Sequence, residues 1–223
     1  MKSGNIVLIG PTNSGKSSLV NKIMGQRVSL VSRKKQSTTF NQKVYKKFSE
    51  NEFIIQDTPG FFSSRKKINN NIISSPLAEI ETSDLIYVVV DISLRINNEY
   101  KKIINSLENK IEKQHVFLIL NKIDKVKKDK VLSAIKFYSK EKIFNEIFPI
   151  SSLTGEGVAN LIKFSKKFTI KTSIKSKPSS NIQIKKKLFY SEVTREKILD
   201  KIHREIPYQL SLIHISEPTR LSL

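Results

Sequence analysis

The sequence predicts an α/β fold of three layers, in which helices cover both faces of a mostly parallel central sheet. Short apolar segments alternate along the chain with segments whose apolar residues recur at helical spacing. Two of the apolar segments, residues 84–91 and 116–120, are apolar over most of their length, which is typical of strands buried on both faces of a parallel sheet. Polar motifs follow several of the strands, and ligands of such sheets bind at the carboxyl ends of the strands.

The first predicted strand and helix enclose a glycine-containing loop. Residues 5–9 form an apolar run, and residues 17–24 carry apolar side chains at helical spacing. Between them, Gly10-Pro-Thr-Asn-Ser-Gly-Lys-Ser17 fits the phosphate-binding pattern G-x-x-x-x-G-K-[ST] without a mismatch. The alternative is a chance glycine-rich turn before a helix, and the order of strand, loop and helix argues against it.

The residue types of this loop suit an anionic phosphate. Backbone N–H groups of the loop and of the helix N-terminus converge on one concavity, and glycine allows the backbone to approach the ligand. We expect Lys16 to reach the terminal phosphates and the Ser17 hydroxyl to bind a magnesium ion that bridges two phosphates. The nucleotide contacts expected from the loop are Gly10, Asn13, Ser14, Gly15, Lys16, Ser17 and Ser18.

The next motif closes a predicted pair of strands. Residues 25–39 are predicted to form a long loop, and residues 43–48 and 52–57 to form two strands joined by a turn. The second strand ends in Asp57-Thr-Pro-Gly60, where we expect Asp57 to act on the magnesium ion through a water and the Gly60 N–H to meet the γ-phosphate. The pattern D-x-x-G also fits an ordinary turn between elements, but its position after the phosphate loop favours the functional interpretation.

A third motif predicts which base is bound. The apolar strand 116–120 runs into Asn121-Lys-Ile-Asp124, which matches N-K-x-D. A carboxylate accepts hydrogen bonds from both N1–H and the exocyclic amine of guanine, whereas adenine has no donor at N1, so Asp124 would select guanine. We expect the stem of Lys122 to lie along the base and Asn121 to tie this segment to the phosphate loop.

The last predicted strand and helix supply the weakest motif. A strand at residues 147–150 is followed by Ser151, Ser152 and Leu153, whose backbone N–H groups we expect to meet the guanine carbonyl. Helices are predicted at residues 77–81, 97–110, 128–140 and 158–168.

The composition excludes several classes of protein. The 223 residues have room for one well-packed domain and part of a second. Without cysteine, the chain has no disulfide framework, thiolate metal site or cysteine nucleophile. No apolar run approaches the roughly 18 to 20 residues of a membrane helix, and the first strand begins too early for a signal peptide, so we expect a soluble, cytoplasmic protein.

The net charge of +20 has two explanations. Such a charge is typical of proteins that bind nucleic acid or another anionic surface, but a chain rich in lysine, isoleucine and asparagine also reflects an AT-rich genome. The distribution of charge is more specific, because residues 161–187 contain nine lysines and no acidic residue. This run is either a linker that contacts RNA phosphates or a solvated charged segment.

In their order and spacing, the motifs resemble those of the P-loop GTPases of the TrmE–Era–EngA group, and within that group the Era family. Residues 25–38, Gly-Gln-Arg-Val-Ser-Leu-Val-Ser-Arg-Lys-Lys-Gln-Ser-Thr, are similar to the Era segment G-Q-K-x-S-I-x-S-x-K-x-Q-T-T. The resemblance implies a P-loop GTPase fold, GTP and GDP as ligands, hydrolysis of GTP, and Thr38 as a metal ligand beside Ser17 and Asp57. Thr39 is the alternative ligand, since Era proteins usually have arginine there.

The resemblance also bears on catalysis. Phe61 stands where many GTPases carry a glutamine that orients the attacking water, so either the water is placed differently here or Phe61 simply covers the loop. Asn13 matches an asparagine that helps relatives to hold K⁺ beside the phosphates. Our hypothesis is that Mg²⁺, Lys16 and K⁺ stabilise the transition-state charge while backbone groups place the water. The catalytic residues expected on this basis are Asn13, Lys16, Thr38 and Gly60.

The resemblance extends into the C-terminal part of the chain. Residues 189–208 are similar to the start of the RNA-binding KH domain of Era proteins, whereas residues 211–223 do not continue the match. No glycine follows Gly157, so the G-x-x-G loop that clamps a nucleic-acid backbone in KH domains is absent from this sequence. The expected organisation is a GTPase domain at residues 1–168, a basic linker at 169–187 and a shortened KH-domain start at 188–223, with an unrelated tail from about residue 210.

The function implied by the resemblance is that of a GTP-hydrolysing switch which, at full length, acts in assembly of the small ribosomal subunit on 16S rRNA. Two alternatives remain: a nucleotide-controlled binding module with negligible hydrolysis, and a related GTPase of tRNA modification or large-subunit assembly. We expect a monomer whose partners are guanine nucleotide, ribosomal RNA and the small subunit, with RNA binding impaired by the missing KH loop. A peripheral association with the inner face of the cell membrane is a further expectation.

Overall fold

The computed structural model describes residues 2–26, 42–58, 76–94, 98–108, 111 and 113–170. The elements are, in chain order, β1 (Lys2–Ile9), α1 (Lys16–Met24), β2 (Gln42–Phe48), β3 (Asn51–Asp57), α2 (Pro76–Glu81), β4 (Leu85–Asp91), α3 (Asn98–Glu108), β5 (His115–Asn121), α4 (Lys128–Tyr138), β6 (Glu146–Pro149) and α5 (Val158–Ser165). Each strand and helix predicted between residues 5 and 168 is present, with ends that differ by up to three residues.

The strands form one sheet in the order β2-β3-β1-β4-β5-β6. The pairs β3-β1, β1-β4, β4-β5 and β5-β6 are parallel, and the hairpin partner β2 runs antiparallel to β3. The predicted α/β fold with a mostly parallel sheet is therefore confirmed.

The register of the strands brings the motif residues to one edge of the sheet. Asp57, the last residue of β3, lies beside Leu8 of β1, two residues before the glycine loop. Asp91, the last residue of β4, lies directly beside Asn121, the last residue of β5. Because these strands are parallel, their carboxyl ends and the segments that follow them share this edge.

Apolar side chains cover both faces of the sheet and divide the core into two clusters. Leu8 of β1 lies in a cluster with Leu19 of α1 and Leu161 of α5. Its neighbour Val7 points to the opposite face, into a cluster that includes Ile103 of α3 and side chains of α2 and α4. This alternation gives the three layers and explains why the central strands are almost uninterruptedly apolar.

The last described residues lie at the amino ends of β1 and β3. Strand β1 begins three residues earlier than predicted because Lys2 to Gly4 already pair with β3. On the other side of β1, Ser3 and Ile170 exchange two backbone hydrogen bonds of 2.9 Å. The Asn51 amide donates to Thr169 Oγ1 at 2.7 Å. Residues 169 and 170, which the sequence places in the linker, thus lie against the sheet.

Several predicted features lie outside the described residues. These are the long loop with Thr38 and Thr39, the residues Gly60 and Phe61, most of the basic linker and the KH-like segment. Among the residues that are described, no helix has the length and apolar character needed to cross a membrane.

Candidate nucleotide-binding site

The glycine loop leads directly into the N-terminus of α1. Gly15 is the N-cap of this helix, no side chain caps the first turn, and the first turn contains no acidic residue. The first N–H groups of a helix have no partner within the helix. At α1 they are therefore not satisfied by a capping side chain, and they suit an anion.

Ser14 places a buried hydroxyl in the same loop. The residue is 1% exposed, and its Oγ has no hydrogen-bond partner among the described residues. This oxygen lies against the start of the loop, because a Cβ added to Gly10 would come within 3.1 Å of it. Buried hydroxyl groups are rarely left without a partner, so the loop fits a ligand rich in hydrogen-bonding oxygens, such as a phosphate.

The ammonium group of Lys16 also lies inside the loop. Its Nζ donates to the carbonyl oxygens of Gly10 at 3.0 Å and Pro11 at 2.9 Å, and the residue is buried. A phosphate bound in the loop would meet a positive charge that is already in place.

Oxygen ligands suitable for magnesium lie beside the loop. Asp57 is fully buried at the end of β3, and Ser17 is in the first turn of α1. Thr58 fixes the end of β3 against β1, because its Oγ1 donates to the Leu8 carbonyl oxygen at 2.6 Å. A carboxylate and a hydroxyl are the hard ligands that Mg²⁺ prefers, so these residues fit the predicted metal site.

Asn121 joins three segments of the site. Its Nδ2 donates to the Ser14 carbonyl oxygen at 2.8 Å, and its Oδ1 accepts from the Ser152 backbone N–H at 3.0 Å and the Ser152 hydroxyl at 2.9 Å. The predicted tie between the N-K-x-D segment and the phosphate loop is therefore present in the structure. The same side chain also holds the loop that follows β6.

Besides the approach of a phosphate, the contact with Asn121 also requires glycine at position 15. Its backbone is left-handed, with a φ of 98°, and a Cβ at this position would lie 2.2 Å from the Asn121 amide nitrogen. A side chain here would strain the backbone and push Asn121 away. The requirement thus comes from packing within the protein as well as from the approach of a phosphate.

The candidate guanine-binding carboxylate is held by the loop after β6. Asp124 is exposed, and its Oδ1 accepts a hydrogen bond of 2.5 Å from the Ser151 hydroxyl. The Thr154 N–H donates to the same hydroxyl at 3.1 Å, which fixes the Ser151 side chain. Asp124 is therefore accessible to a base but held in one orientation.

The backbone of this loop bonds within the protein more than the sequence suggests. The Ser151 N–H donates to the Glu156 carbonyl oxygen, and the Ser152 N–H donates to Asn121. The Ser152 N–H thus reaches a guanine carbonyl only by sharing or exchanging its bond with Asn121. Ser151 and Ser152 position Asp124 and Asn121 in this structure, a role that the sequence did not indicate.

A buried carboxylate that is not among the residues predicted from the sequence lies at the end of β4. Asp91 Oδ2 accepts a 2.6 Å hydrogen bond from Lys122 Nζ, and the carboxylate is 8% exposed. The same Nζ donates to the carbonyl oxygen of Asn13 in the glycine loop at 2.7 Å. An acidic residue that ends a buried strand was the signal used for Asp57, and it applies equally to Asp91.

Asn13 lies at the exposed tip of the glycine loop. Its backbone is left-handed, with a φ of 61°, which is uncommon for a residue other than glycine, although asparagine tolerates it best. This conformation presents the Asn13 carbonyl oxygen to Lys122.

Known proteins resemble this chain in sequence. The family described as 50S ribosome-binding GTPase matches residues 5–122. GTPase Era of Clostridium beijerinckii is 34% identical over 212 residues, which make up 95% of this chain and 70% of that protein. The family match runs from β1 to Lys122 and so contains the glycine loop, Asp57 and Asn121.

Solved structures resemble the chain in fold as well. A variant of Aquifex aeolicus Era bound to GDP·AlF4⁻ has a TM-score of 0.78 and 27% identity. Era in complex with MgGDPNP and nucleotides 1506–1542 of 16S ribosomal RNA has a TM-score of 0.79 and 26% identity. Each of these comparisons covers 93% of this chain and 70% of the other.

Proposed function

Because this chain belongs to the GTPase Era family, we propose that it binds GTP and GDP and hydrolyses GTP at the site built around its glycine loop. The observation that carries the proposal is the hydrogen-bond network of Asn121, which joins the glycine loop, the N-K-x-D segment and the loop after β6. A site that binds both the phosphates and the base requires these three segments to be held at fixed positions relative to one another.

The proposal is tested with the full chain and Mg²⁺. A fluorescent GDP should bind, GTP should displace it and ATP should not, and GTP should be cleaved in a single-turnover assay. Lys16→Ala should abolish tight binding because it removes the ammonium from the loop, whereas Lys163→Ala, which removes an exposed lysine on α5, should not. Displacement by ATP would contradict guanine selectivity, and binding without cleavage would favour a binding module.

We assign the contacts as follows. The loop residues 10–18 hold the phosphates, Asp124 and Lys122 hold the base, and Asn121 with the loop at 151–153 positions Asp124 and the glycine loop. Ser17, Thr38 and Asp57 are the proposed magnesium ligands, and Gly60 is the proposed backbone contact of the γ-phosphate. A magnesium ion held by these residues would supply positive charge to the phosphate oxygens.

We further propose that K⁺ assists hydrolysis beside Asn13. The side chain of Asn13 is at the exposed tip of the loop, where it can reach a cation next to the phosphates. Exchange of K⁺ for Na⁺ at constant ionic strength should slow single-turnover hydrolysis without changing GDP affinity. Equal rates in the two salts would remove K⁺ from the proposal.

The proposed cellular role is assembly of the small ribosomal subunit. A solved Era structure contains a fragment of 16S ribosomal RNA, and this chain has a lysine run at residues 161–187 and a KH-like segment from residue 188. Without a G-x-x-G loop, binding of an RNA fragment with that sequence should be weak and steeply dependent on salt. Binding that survives high salt and discriminates against a scrambled RNA would show that recognition does not require this loop.

For location and assembly state, we propose a cytoplasmic monomer with a peripheral association at the inner face of the cell membrane. Light scattering coupled to size exclusion tests the monomer. Sedimentation with vesicles that contain anionic lipid, compared with neutral vesicles, tests the membrane association, because lysine-rich surfaces bind anionic lipid electrostatically.

A further inference from the structure

The carboxylate of Asp91 is completely engaged by hydrogen bonds at the end of β4. Oδ2 accepts from Lys122 Nζ at 2.6 Å, and Oδ1 accepts from the Ser93 backbone N–H at 2.9 Å and the Ser93 hydroxyl at 2.5 Å. Burial opposes ionisation of this carboxyl, but the bonds from Lys122 and Ser93 outweigh it and lower the pKa of Asp91 below its usual value. Asp91 is therefore a charged acceptor at neutral pH.

The geometry places Lys122 between two segments of the nucleotide site. Its ammonium donates to Asp91 on one side and to the Asn13 carbonyl oxygen on the other, at 2.7 Å. Its backbone is left-handed, with a φ of 68° and a ψ of 38°, a conformation that residues with a Cβ rarely adopt. The alkyl stem of Lys122 is thus held at both ends. Two hydrogen bonds fix its Nζ, and the backbone conformation fixes its Cα.

The turn that carries Asp91 is itself fixed to its surroundings. The Ile92 N–H donates to the Asn121 carbonyl oxygen at 3.2 Å, and Lys130 Nζ of α4 donates to the Ser93 carbonyl oxygen at 3.1 Å. Asp91 is thus supported by the neighbouring strand and by a helix, so it provides a rigid anchor for Lys122.

We propose that Asp91 is a positioning residue for nucleotide binding, which acts by holding the Lys122 side chain against the glycine loop so that its stem forms a preformed surface for the base. This inference rests on the proposed function. Loss of the Asp91 charge would deprive Lys122 of its charge-assisted hydrogen bond, and the stem would become freer to move. Dissociation of the nucleotide would then become faster, while the phosphate chemistry would remain unchanged.

The test is a double-mutant cycle on the rate of fluorescent GDP dissociation. Asp91→Asn keeps the shape of the side chain and removes its charge, and roughly tenfold faster dissociation is expected from the loss of a charge-assisted hydrogen bond. In a Lys122→Met background the same change should have little further effect, because the side chain through which Asp91 acts has lost its ammonium. For Asp91→Asn alone, the rate of single-turnover hydrolysis at saturating GTP should stay within about twofold of wild type.

Asp84→Asn is the matched control. Asp84 lies just before β4, at the opposite edge of the sheet, and its carboxylate accepts a backbone hydrogen bond from Asn5 at 2.7 Å. This variant should affect thermal stability but not GDP dissociation. If Asp91→Asn fails to fold, Ser93→Ala removes one bond to the same carboxylate and should accelerate dissociation to a smaller extent.

The outcomes separate the two proposals. If the wild-type chain binds no guanine nucleotide, the proposed function fails and this inference fails with it. If the wild type binds GDP but the effects of Asp91→Asn and Lys122→Met on dissociation are additive, or if Asp91→Asn dissociates at the wild-type rate, the function stands and Asp91 has no positioning role.

Discussion

At the scale of single residues, the site consists of polar side chains that are fixed by the protein before a ligand arrives. The Asn121 amide uses both of its ends for hydrogen bonds to other segments, and Asp124, although exposed, is held by Ser151. A polar group that is already oriented loses little freedom when it binds a ligand. We therefore propose that specificity for the base depends on the identity of Asp124 more than on rearrangement of the loop.

Asp124→Asn should exchange guanine for xanthine as the preferred base. The carboxylate accepts from two donors of guanine, whereas an amide donates to the additional carbonyl group of xanthine. We expect GDP affinity to fall by at least about 100-fold, since two hydrogen bonds to a charged group are lost, and XDP affinity to rise. Competition of both nucleotides against fluorescent GDP and fluorescent XDP measures the change.

The matched control for this exchange is Asp129→Asn. Asp129 is an exposed acidic residue in the first turn of α4, so its replacement removes the same charge without touching the base site. Retained preference for GDP in the Asp124 variant would show that the base is selected by other residues.

At the scale of elements, α5 is attached to the sheet by a buried polar contact as well as by apolar packing. The Tyr87 hydroxyl on β4 lies 2.5 Å from the Ser165 hydroxyl, and both residues are fully buried. Ser165 Oγ also donates to the Leu161 carbonyl oxygen at 2.7 Å. Since the serine hydroxyl has one proton, Tyr87 is the donor in the contact between the strand and the helix.

Ser165→Ala should therefore be more destabilising than Tyr87→Phe. The first change leaves the Tyr87 hydroxyl buried without an acceptor, which costs about 1–3 kcal/mol, whereas the second leaves Ser165 bonded to Leu161 and costs about 0.5–1.5 kcal/mol. In the Tyr87→Phe background, Ser165→Ala should add little. Urea denaturation of the three variants measures these differences, and a larger loss for Tyr87→Phe than for Ser165→Ala would contradict the assigned donor.

Burial raises the pKa of Tyr87 well above its usual value. The stability contributed by the neutral tyrosine is thus present below the pKa of an unfolded tyrosine, about 10. It is lost progressively as the pH rises above that value toward the folded pKa. The difference in stability between wild type and Tyr87→Phe should accordingly change above about pH 10 and remain constant at neutral pH.

The elements of the fold were predictable because they depend on local patterns. Apolar runs gave the buried strands, helical spacing gave the helices, and the motifs marked the ends of β1, β3 and β5. The contacts of Asp91 and Ser165 depend instead on which strand lies beside which and in what register, and a single sequence does not contain that information. For the same reason, the sequence does not predict the pairing of Ile170 with Ser3, which lies at the other end of the described chain.

At the scale of the whole molecule, the nucleotide site and the last described residues, 169 and 170, lie at opposite edges of the sheet. The motif residues follow the carboxyl ends of β1, β3 and β5, whereas Ser3, Asn51 and Ile170 meet at the amino ends of β1 and β3. The contacts of residues 169 and 170 should therefore affect the stability of the domain without affecting the release of the bound nucleotide.

This separation predicts different results for two shortened chains. A chain that ends at Ile170 retains the two backbone bonds with Ser3 and the bond between Asn51 and Thr169, so its GTPase domain should unfold at the same urea concentration as in the full chain. A chain that ends at Phe168 loses these three bonds and the bond that Thr169 Oγ1 donates to the Lys166 carbonyl oxygen at 2.8 Å, so it should be less stable by about 1–3 kcal/mol. Both should release GDP at the rate of the full chain, because the site lies at the other edge.

Thr169→Val in the full chain provides the control without shortening. It removes the oxygen that accepts from Asn51 but keeps the shape of the side chain and the backbone pairing of Ile170 with Ser3. Its loss of stability should be a fraction of that caused by ending the chain at Phe168. It removes the bond from Asn51 and the bond that Thr169 Oγ1 donates to the Lys166 carbonyl oxygen, but it keeps both backbone bonds of Ile170. Equal stability of the two shortened chains would mean that residues 169 and 170 do not belong to the domain, and faster GDP release from the shorter one would mean that the two edges of the sheet are coupled.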